Sequence, residues 1–387
     1  MTARMHRNSR QAGLSMIELM IAIAIGLLIL AGLVTIFANA SNTQHELRRT
    51  AQQIETGRYA MDVLTRDLQL AGFWGQFRYY TTPAALPDPC LFTDTDLTNA
   101  IGLSVQGYQA PALNAKPVPP AACSTWIPTA NLSDGSDILV VRRASTDFVT
   151  SGTVTTAGDT YIQNNPSEIA VQSGGGTVSC TSTASGTVAT ILRRCAVPSA
   201  VDVCAATCPT NPGGYIRKYE VHVYFVAPCN VPTGGGNVCT GASDDSGRPI
   251  PTLKRLELAN VGGARSFRVV PLAEGVEFMK IAYGIDDTPA TVNTETELVG
   301  DGSPDRYMLA PTLTDFSNAV TVRVDLLVRN PEPSSDYVDP KTYQLSVDPA
   351  APANAAYTIV PAQTNYRRHV YSSEVRLVNL SARKEIP

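Results

Sequence analysis

From Leu19 to Ala38 the chain reads LMIAIAIGLLILAGLVTIFA with no charged residue. As a helix rising about 1.5 Å per residue, that stretch is about 30 Å long, the thickness of a bilayer's hydrocarbon core. One membrane span is predicted. Arg4, Arg7 and Arg10 precede it with no acidic residue among them, so the positive-inside rule keeps the N-terminus in the cytoplasm and places everything after Ala38 outside it. Arg48 and Arg49 weaken that asymmetry slightly, and no second run of spanning length follows. Beyond the span, Leu47, Ile54, Met61 and Leu68 recur every seven residues with Leu64 between them, while Arg48, Glu55, Arg58, Asp62, Arg66 and Asp67 take other faces. The pattern predicts one nearly continuous helix over 14–72, whose distal half lies against a globular body. Gly57 and the Gly26/Gly32 pair are points where it could bend or melt.

After Gly72 the period shortens. Asp137–Arg143, Tyr219–Val226, Leu253–Leu258 and Val276–Tyr283 read as strands, and Val320–Val328 alternates Val320, Val322, Val324 and Leu326 with Thr321, Arg323 and Asp325. A last run, Val370 to Leu380, offers Val375, Leu377 and Val378 as buried positions. Between them lie segments rich in Gly, Pro, Ser or Asn: Pro111–Pro120, Ser173–Thr187, Thr233–Pro249 and Asn330–Pro361. With no repeat of fixed period, the expected fold is α+β, a long N-terminal helix packed on an antiparallel β-rich head.

Composition narrows the function classes. In 387 residues, 44% are hydrophobic and 17% charged, which excludes disorder and charged coiled coil. A formal net charge of -4 gives no general drive toward nucleic acid. Eight cysteines, Cys90, Cys123, Cys180, Cys195, Cys204, Cys208, Cys229 and Cys239, all follow the span, as suits an oxidising compartment. They allow 105 pairings; proximity favours Cys90–Cys123, Cys180–Cys195, Cys204–Cys208 and Cys229–Cys239. A thiolate zinc site lacks a C-x-x-C pair or suitably spaced histidines.

Two readings fit the N-terminus. A secretory signal peptide fits the basic residues, the apolar stretch and a cleavage triplet at Ala38-Asn39-Ala40; the length of the apolar run and the carboxylate of Glu18 at its edge count against it, and composition leaves the two readings even. The string Gly13-Leu14-Ser15-Met16-Ile17-Glu18 resembles the processing site of type IV pilins and pseudopilins. That resemblance implies cleavage between Gly13 and Leu14 by a membrane prepilin peptidase and methylation of the new N-terminus. It divides the chain into a basic leader, 1–13, the helix, 14–72, and a periplasmic head, 73–387. It also implies that Glu18 pairs with a neighbouring subunit's N-terminal amine during assembly. Loss of the leader's three arginines takes the formal charge from -4 to -7.

Further along, Arg66-Asp67-Leu68-Gln69-Leu70-Ala71-Gly72-Phe73-Trp74-Gly75, the run Ala319–Asn330 and Arg367-Arg368-His369-Val370-Tyr371 leading into Val375–Leu380 are similar to minor pilins of the PilW type. The resemblance implies a bacterial inner-membrane protein that primes type IV pilus assembly and sits near the fibre tip. Its implied partners are other minor pilins, the major pilin and the inner-membrane assembly platform. A J-type minor pseudopilin of type II secretion and a membrane-anchored adhesin remain as alternatives.

One acidic cluster carries candidate chemistry. Asp286 and Asp287 end a strand-like run, and Asp301, Ser303 and Asp305 alternate in Gly300-Asp301-Gly302-Ser303-Pro304-Asp305 as the oxygen ligands of a calcium loop do. Arg306 and Thr312 break the EF-hand pattern, and a solvated turn is the other reading. Catalysis finds little footing. His222 alternates with Val221 and Val223, which puts it on a strand's solvent face, and the pairs Arg142-Arg143, Arg193-Arg194 and Arg367-Arg368 read as solvated strand ends. Without a nucleophile motif or phosphate loop, the chain is expected not to be an enzyme.

Overall fold

A computed structural model describes residues 15–77, 81–147, 156–164, 169–174, 215–236, 238–287, 302–334, 337–345 and 357–382. The chain divides into two units, Met1–Ala51 and Gln52–Pro387. Helix α1, Met16–Gln69, begins in the first and ends in the second. In the first unit every residue from Ser15 to Ala40 is exposed, including Leu28 at 74% and Phe37 at 77%. This is a helix long and apolar enough to cross a membrane; in water such a surface would be strongly unfavourable.

The second unit holds the end of α1 and the head. Helix α2, Asp94–Asn99, is closed by a capping box in which Thr93 and Asp96 satisfy each other's backbone donors. Strands β1 (Val105–Tyr108), β2 (Ile138–Ala144), β3 (Thr160–Asn164), β4 (Ile169–Ser173) and β5 (Tyr215–Ala227) follow. After the short turn α3 (Asp244–Gly247) come β6 (Thr252–Val261), β7 (Ala264–Glu274), β8 (Val276–Ile285), β9 (Arg306–Met308) and helix α4 (Leu313–Ser317). The chain ends with β10 (Ala319–Arg329), β11 (Tyr343–Leu345), β12 (Tyr357–Ile359), β13 (Arg368–Arg376) and α5 (Val378–Ser381).

These strands make a seven-stranded sheet in the order β1-β2-β5-β3-β4, with β6 on β5 and β7 on β6, and a four-stranded sheet in the order β13-β10-β8-β9. Every pairing within the two sheets is antiparallel. The thirteen-residue β5 explains the larger sheet: Tyr219–Tyr224 pair with β2, Tyr215–Lys218 with β3, and His222–Ala227 with β6. Side chains alternate across each strand, so β2 sends Leu139 and Val141 into one apolar cluster and Ile138 and Val140 into another. The first cluster lies between the sheets and takes Ala60, Leu64 and Leu68 from α1, Tyr224 and Val226 from β5, and Val322, Val324 and Leu326 from β10. The second gathers Trp74, Leu97, Ile127, Val221, Phe225 and Phe267. The fold is α+β, with an antiparallel β-rich head.

Several expectations are corrected. The buried face of α1 is Gln53, Gly57, Ala60, Leu64, Asp67 and Leu68, which leaves Ile54 40% exposed. The seven-residue apolar stripe holds at Met61, Leu64 and Leu68, which reach the core, and fails at Leu47 and Ile54; two of the six buried positions are polar and invisible to hydrophobic periodicity. The final run breaks at Leu377, where β13 gives way to α5, and Val378 is 52% exposed. The long loop from Asn330 to Pro361 contains β11 and β12, paired with each other.

Gly57 is a packing notch rather than a weak point. A Cβ placed there would collide with the ring of Tyr371, on β13. Helix propensity alone would make replacement of this glycine stabilising, by about 1 kcal/mol for alanine and less for β-branched valine. The contact reverses the sign: Gly57→Val is expected to lower stability by about 1–3 kcal/mol, measured by urea unfolding with tyrosine fluorescence. A variant that resists urea better than wild type would contradict this packing.

Candidate assembly site and helix–head junction

Gly13 and Leu14 lie outside the described residues. Glu18 stands in the first turn of α1, and its Oε2 accepts the Ser15 N–H at 3.0 Å. A carboxylate there faces the positive end of the helix dipole, and the exposed apolar surface of Met16, Ile17 and Leu19 surrounds it.

At the other end of the helix, Asp67 is 5% exposed and collects partners from two strands. Arg143 Nε on β2 donates to its Oδ1 at 2.6 Å. On β5, the Tyr224 hydroxyl donates to Oδ2 at 2.9 Å, and His222 Nδ1 lies 2.8 Å from the same oxygen. Burial by itself would push the Asp67 carboxyl up, but His222 and Arg143 outweigh it and hold it far below the usual carboxylate range. His222 is thus buried, not on a solvent face: β5 is covered on both sides, and the imidazole is tolerated because Asp67 meets it.

The chain leaves α1 through Gly72, whose φ of 70° ends the helix in the left-handed region that glycine adopts without strain. Gly72 N–H then donates to the Arg142 carbonyl at 3.0 Å, and Ala144 N–H to the Phe73 carbonyl at 2.7 Å, so the segment continues along β2. From the far end of the sequence, Asn379 Nδ2 donates to the Ala71 carbonyl at 3.1 Å. The R-D-x-x-x-A-G-F string and the C-terminal Leu377-Val378-Asn379 therefore meet at one junction. Gln53 makes a similar link, Nε2 donating to the carbonyls of Val328 at 2.7 Å and Arg367 at 3.0 Å. The roles of Tyr224, Gln53 and Asn379 had no sequence signal beyond their presence near recognisable strings.

The arginine pairs are corrected in the same way. Arg142 is 1% exposed and donates to the Leu103 carbonyl at 2.9 Å and Gln106 Oε1 at 2.8 Å. Arg368 forks onto Glu277, with Nε at 2.6 Å and Nη2 at 3.0 Å, and Arg367 stacks on Tyr337. These guanidiniums are internal ties of the head. Arg193-Arg194 lies outside the described residues.

Cys90–Cys123 and Cys229–Cys239 are disulfides; Cys180, Cys195, Cys204 and Cys208 lie outside the described residues. Of the calcium candidates, Asp301 is also outside. Asp287 is engaged by Arg306, which also reaches Asp315 at 2.6 Å, and the Asp305 carboxylate accepts the Asp287 N–H at 2.8 Å. Asp286 is fully buried, and Ser303 lies in the turn before β9. The cation that Asp287 meets is a guanidinium of the chain itself. The two clusters of potential metal ligands among the described residues, Asp88-Cys90-Cys123 and Cys229-Cys239-Asp244, each contain a disulfide, whose sulfurs are not thiolates.

Comparison with known families matches both ends of the chain. Residues 8–34, which hold Gly13, Leu14, Glu18 and most of the apolar run, match the prokaryotic N-terminal methylation motif. With the exposed apolar helix that follows it, this motif points to membrane anchoring. Residues 238–379 match Type IV Pilus-assembly protein W, and the two matches together support a type IV pilus minor pilin of the PilW type. The second match covers the whole four-stranded sheet and Asn379, while β1 to β5 lie outside it. No curated protein and no solved structure matches the chain. Assignment to pilus assembly points to a structural role rather than a catalytic one, and to interaction with pilus components.

Proposed function

We propose that this minor pilin primes assembly of a type IV pilus from the inner membrane and stays near the fibre tip, with its head in the periplasm. Prepilin peptidase removes residues 1–13 and Leu14 becomes the methylated N-terminus. Residues 14–72 then serve as the assembly helix and 73–387 as the head. The carrying observation is the apolar helix surface from Met16 to Phe37 with one carboxylate, Glu18, at its start. Such a surface is stable among lipid tails or similar helices, and a carboxylate within it calls for a cationic partner. The α-amine of a neighbouring processed subunit supplies one. The four-stranded sheet and the junction at Asp67 and Asn379 hold the head on its helix while the helix docks.

Crosslinking in intact cells, followed by purification of the full chain and identification of its partners, tests this reading. Other minor pilins and the major pilin are the expected catch. Secretion pseudopilins would move the protein to a type II secretion system, and a catch without filament proteins would favour a free-standing adhesin.

A further inference from the structure

A buried ion pair joins the two sheets of the head. Asp137 immediately precedes β2 in the larger sheet, and Lys280 lies on β8 in the smaller one. Asp137 is 3% exposed and Lys280 0%, and Lys280 Nζ sits 2.6 Å from Asp137 Oδ1. Backbone donors fix the carboxyl on both oxygens: Ala110 N–H meets Oδ1 at 3.0 Å and Ile281 N–H meets Oδ2 at 3.0 Å. Asp137 N–H itself donates to the Met279 carbonyl at 2.8 Å, which fixes Asp137 against the strand that carries Lys280. Nζ lies 4.0 Å from the centre of the Tyr357 ring. The nearby Tyr283 hydroxyl is buried and has no hydrogen-bond partner among the described residues.

We propose that Lys280 and Asp137 form an intramolecular isopeptide bond, a self-made crosslink between the two sheets. One proton passes from Lys280 Nζ to the Asp137 carboxylate across their hydrogen bond, and the amine so formed attacks Cγ. The Nζ–Cγ bond forms, the Cγ–Oδ1 bond breaks, and Oδ1 leaves as water with the carboxyl proton and one proton from Nζ. The other proton stays on the amide. Nothing is oxidised or reduced, and no co-reactant is needed.

Three features favour this step over a permanent ion pair. Contact between the reacting groups removes the entropy of bringing them together. The Ile281 N–H already points at Oδ2, where negative charge develops in the tetrahedral intermediate, and the Ala110 N–H assists departure of Oδ1. Burial penalises the charged pair, since two ions removed from water regain the loss only with full compensation. Consistently, desolvation pushes the Asp137 carboxyl up despite Lys280 beside it. The amide is uncharged and needs only the backbone partners already in place. A covalent tie here would resist separation of the sheets under pulling.

The test is the mass of the full processed chain, purified from membranes and measured after its disulfides are reduced. The chain should be lighter by one water than its sequence after the mass change of N-terminal processing and methylation is included, and a digest should yield a branched peptide joining Asp137 to Lys280. Lys280→Arg keeps a cation beside Asp137 but cannot form the amide, so it should show the full mass and no branched peptide. A wild-type chain of full mass overturns the proposal. So does a missing water that maps to dehydration elsewhere, such as Asp134 before Gly135.

Discussion

Asp67→Ala is expected to lower the stability of the head by about 3–5 kcal/mol, because it leaves buried groups facing a lost carboxylate. Among the described residues Arg143 keeps Glu220 as its acidic partner, and the His222 ring and the Tyr224 hydroxyl lose the oxygen they share. Asp67→Asn should be milder, since an amide oxygen can still accept from Tyr224. The same residue gives an acid limb to stability. Its folded carboxyl is held below the unfolded value of about 4, so its contribution is complete above that pH and is lost as pH falls toward the folded value. Denaturant unfolding of wild type and both variants between neutral pH and pH 3 checks this. A loss under 1 kcal/mol for the alanine variant, or an unchanged acid limb, would show that the cluster does not hold the helix to the head.

Glu18→Ala should leave membrane insertion and leader removal intact and reduce the chain's incorporation into pili severely, by tenfold or more on the scale of one lost buried charge pair. Insertion depends on the apolar run, which the substitution lengthens, and cleavage on Gly13. Only the pairing group disappears. With the variant as sole copy, quantitative detection of the protein in sheared pili reads the effect. Normal incorporation would remove Glu18 from assembly, and accumulation of uncut precursor would move its role to processing.

What the sequence revealed depended on how each element is buried. The membrane helix was legible because its twenty uncharged residues are long enough to span a bilayer and too apolar to stand in water. β2, β5, β6, β8 and β10 were legible because strands inside a layered head are apolar on one face or both. β7, an eleven-residue strand carrying Arg265, Arg268 and Pro271, was not, because its pairing with β6 holds it more than its own side chains do. β11 and β12 are three residues each and separated by a proline- and alanine-rich segment, too short for alternation to register.

The junction was half visible for a different reason. Strings around Asp67 and Asn379 resembled a family, yet nothing in periodicity predicts that a helix buries Gln53 and Asp67, or that His222 turns inward to meet one of them. Polar burial is settled by partners far away in sequence: Asp67 and His222 are 155 residues apart. Local patterns cannot report such a pairing. The disulfides Cys90–Cys123 and Cys229–Cys239 fell to simple proximity because each joins neighbouring cysteines, although the first loop also sends Leu97, Ile101, Leu103 and Val105 into the core.

Whether the chain is a processed pilin, rather than a secreted or uncut protein, comes down to one peptide bond. Gly13 has no Cβ to obstruct a narrow peptidase cleft, so Gly13→Val should retain the leader while Ala40→Leu changes nothing. Mass spectrometry of the N-terminal peptide from the membrane-purified protein is the direct measurement. A methylated N-terminus at Leu14 is the predicted result; a start at Ser41, or an intact chain from Met1, would contradict it.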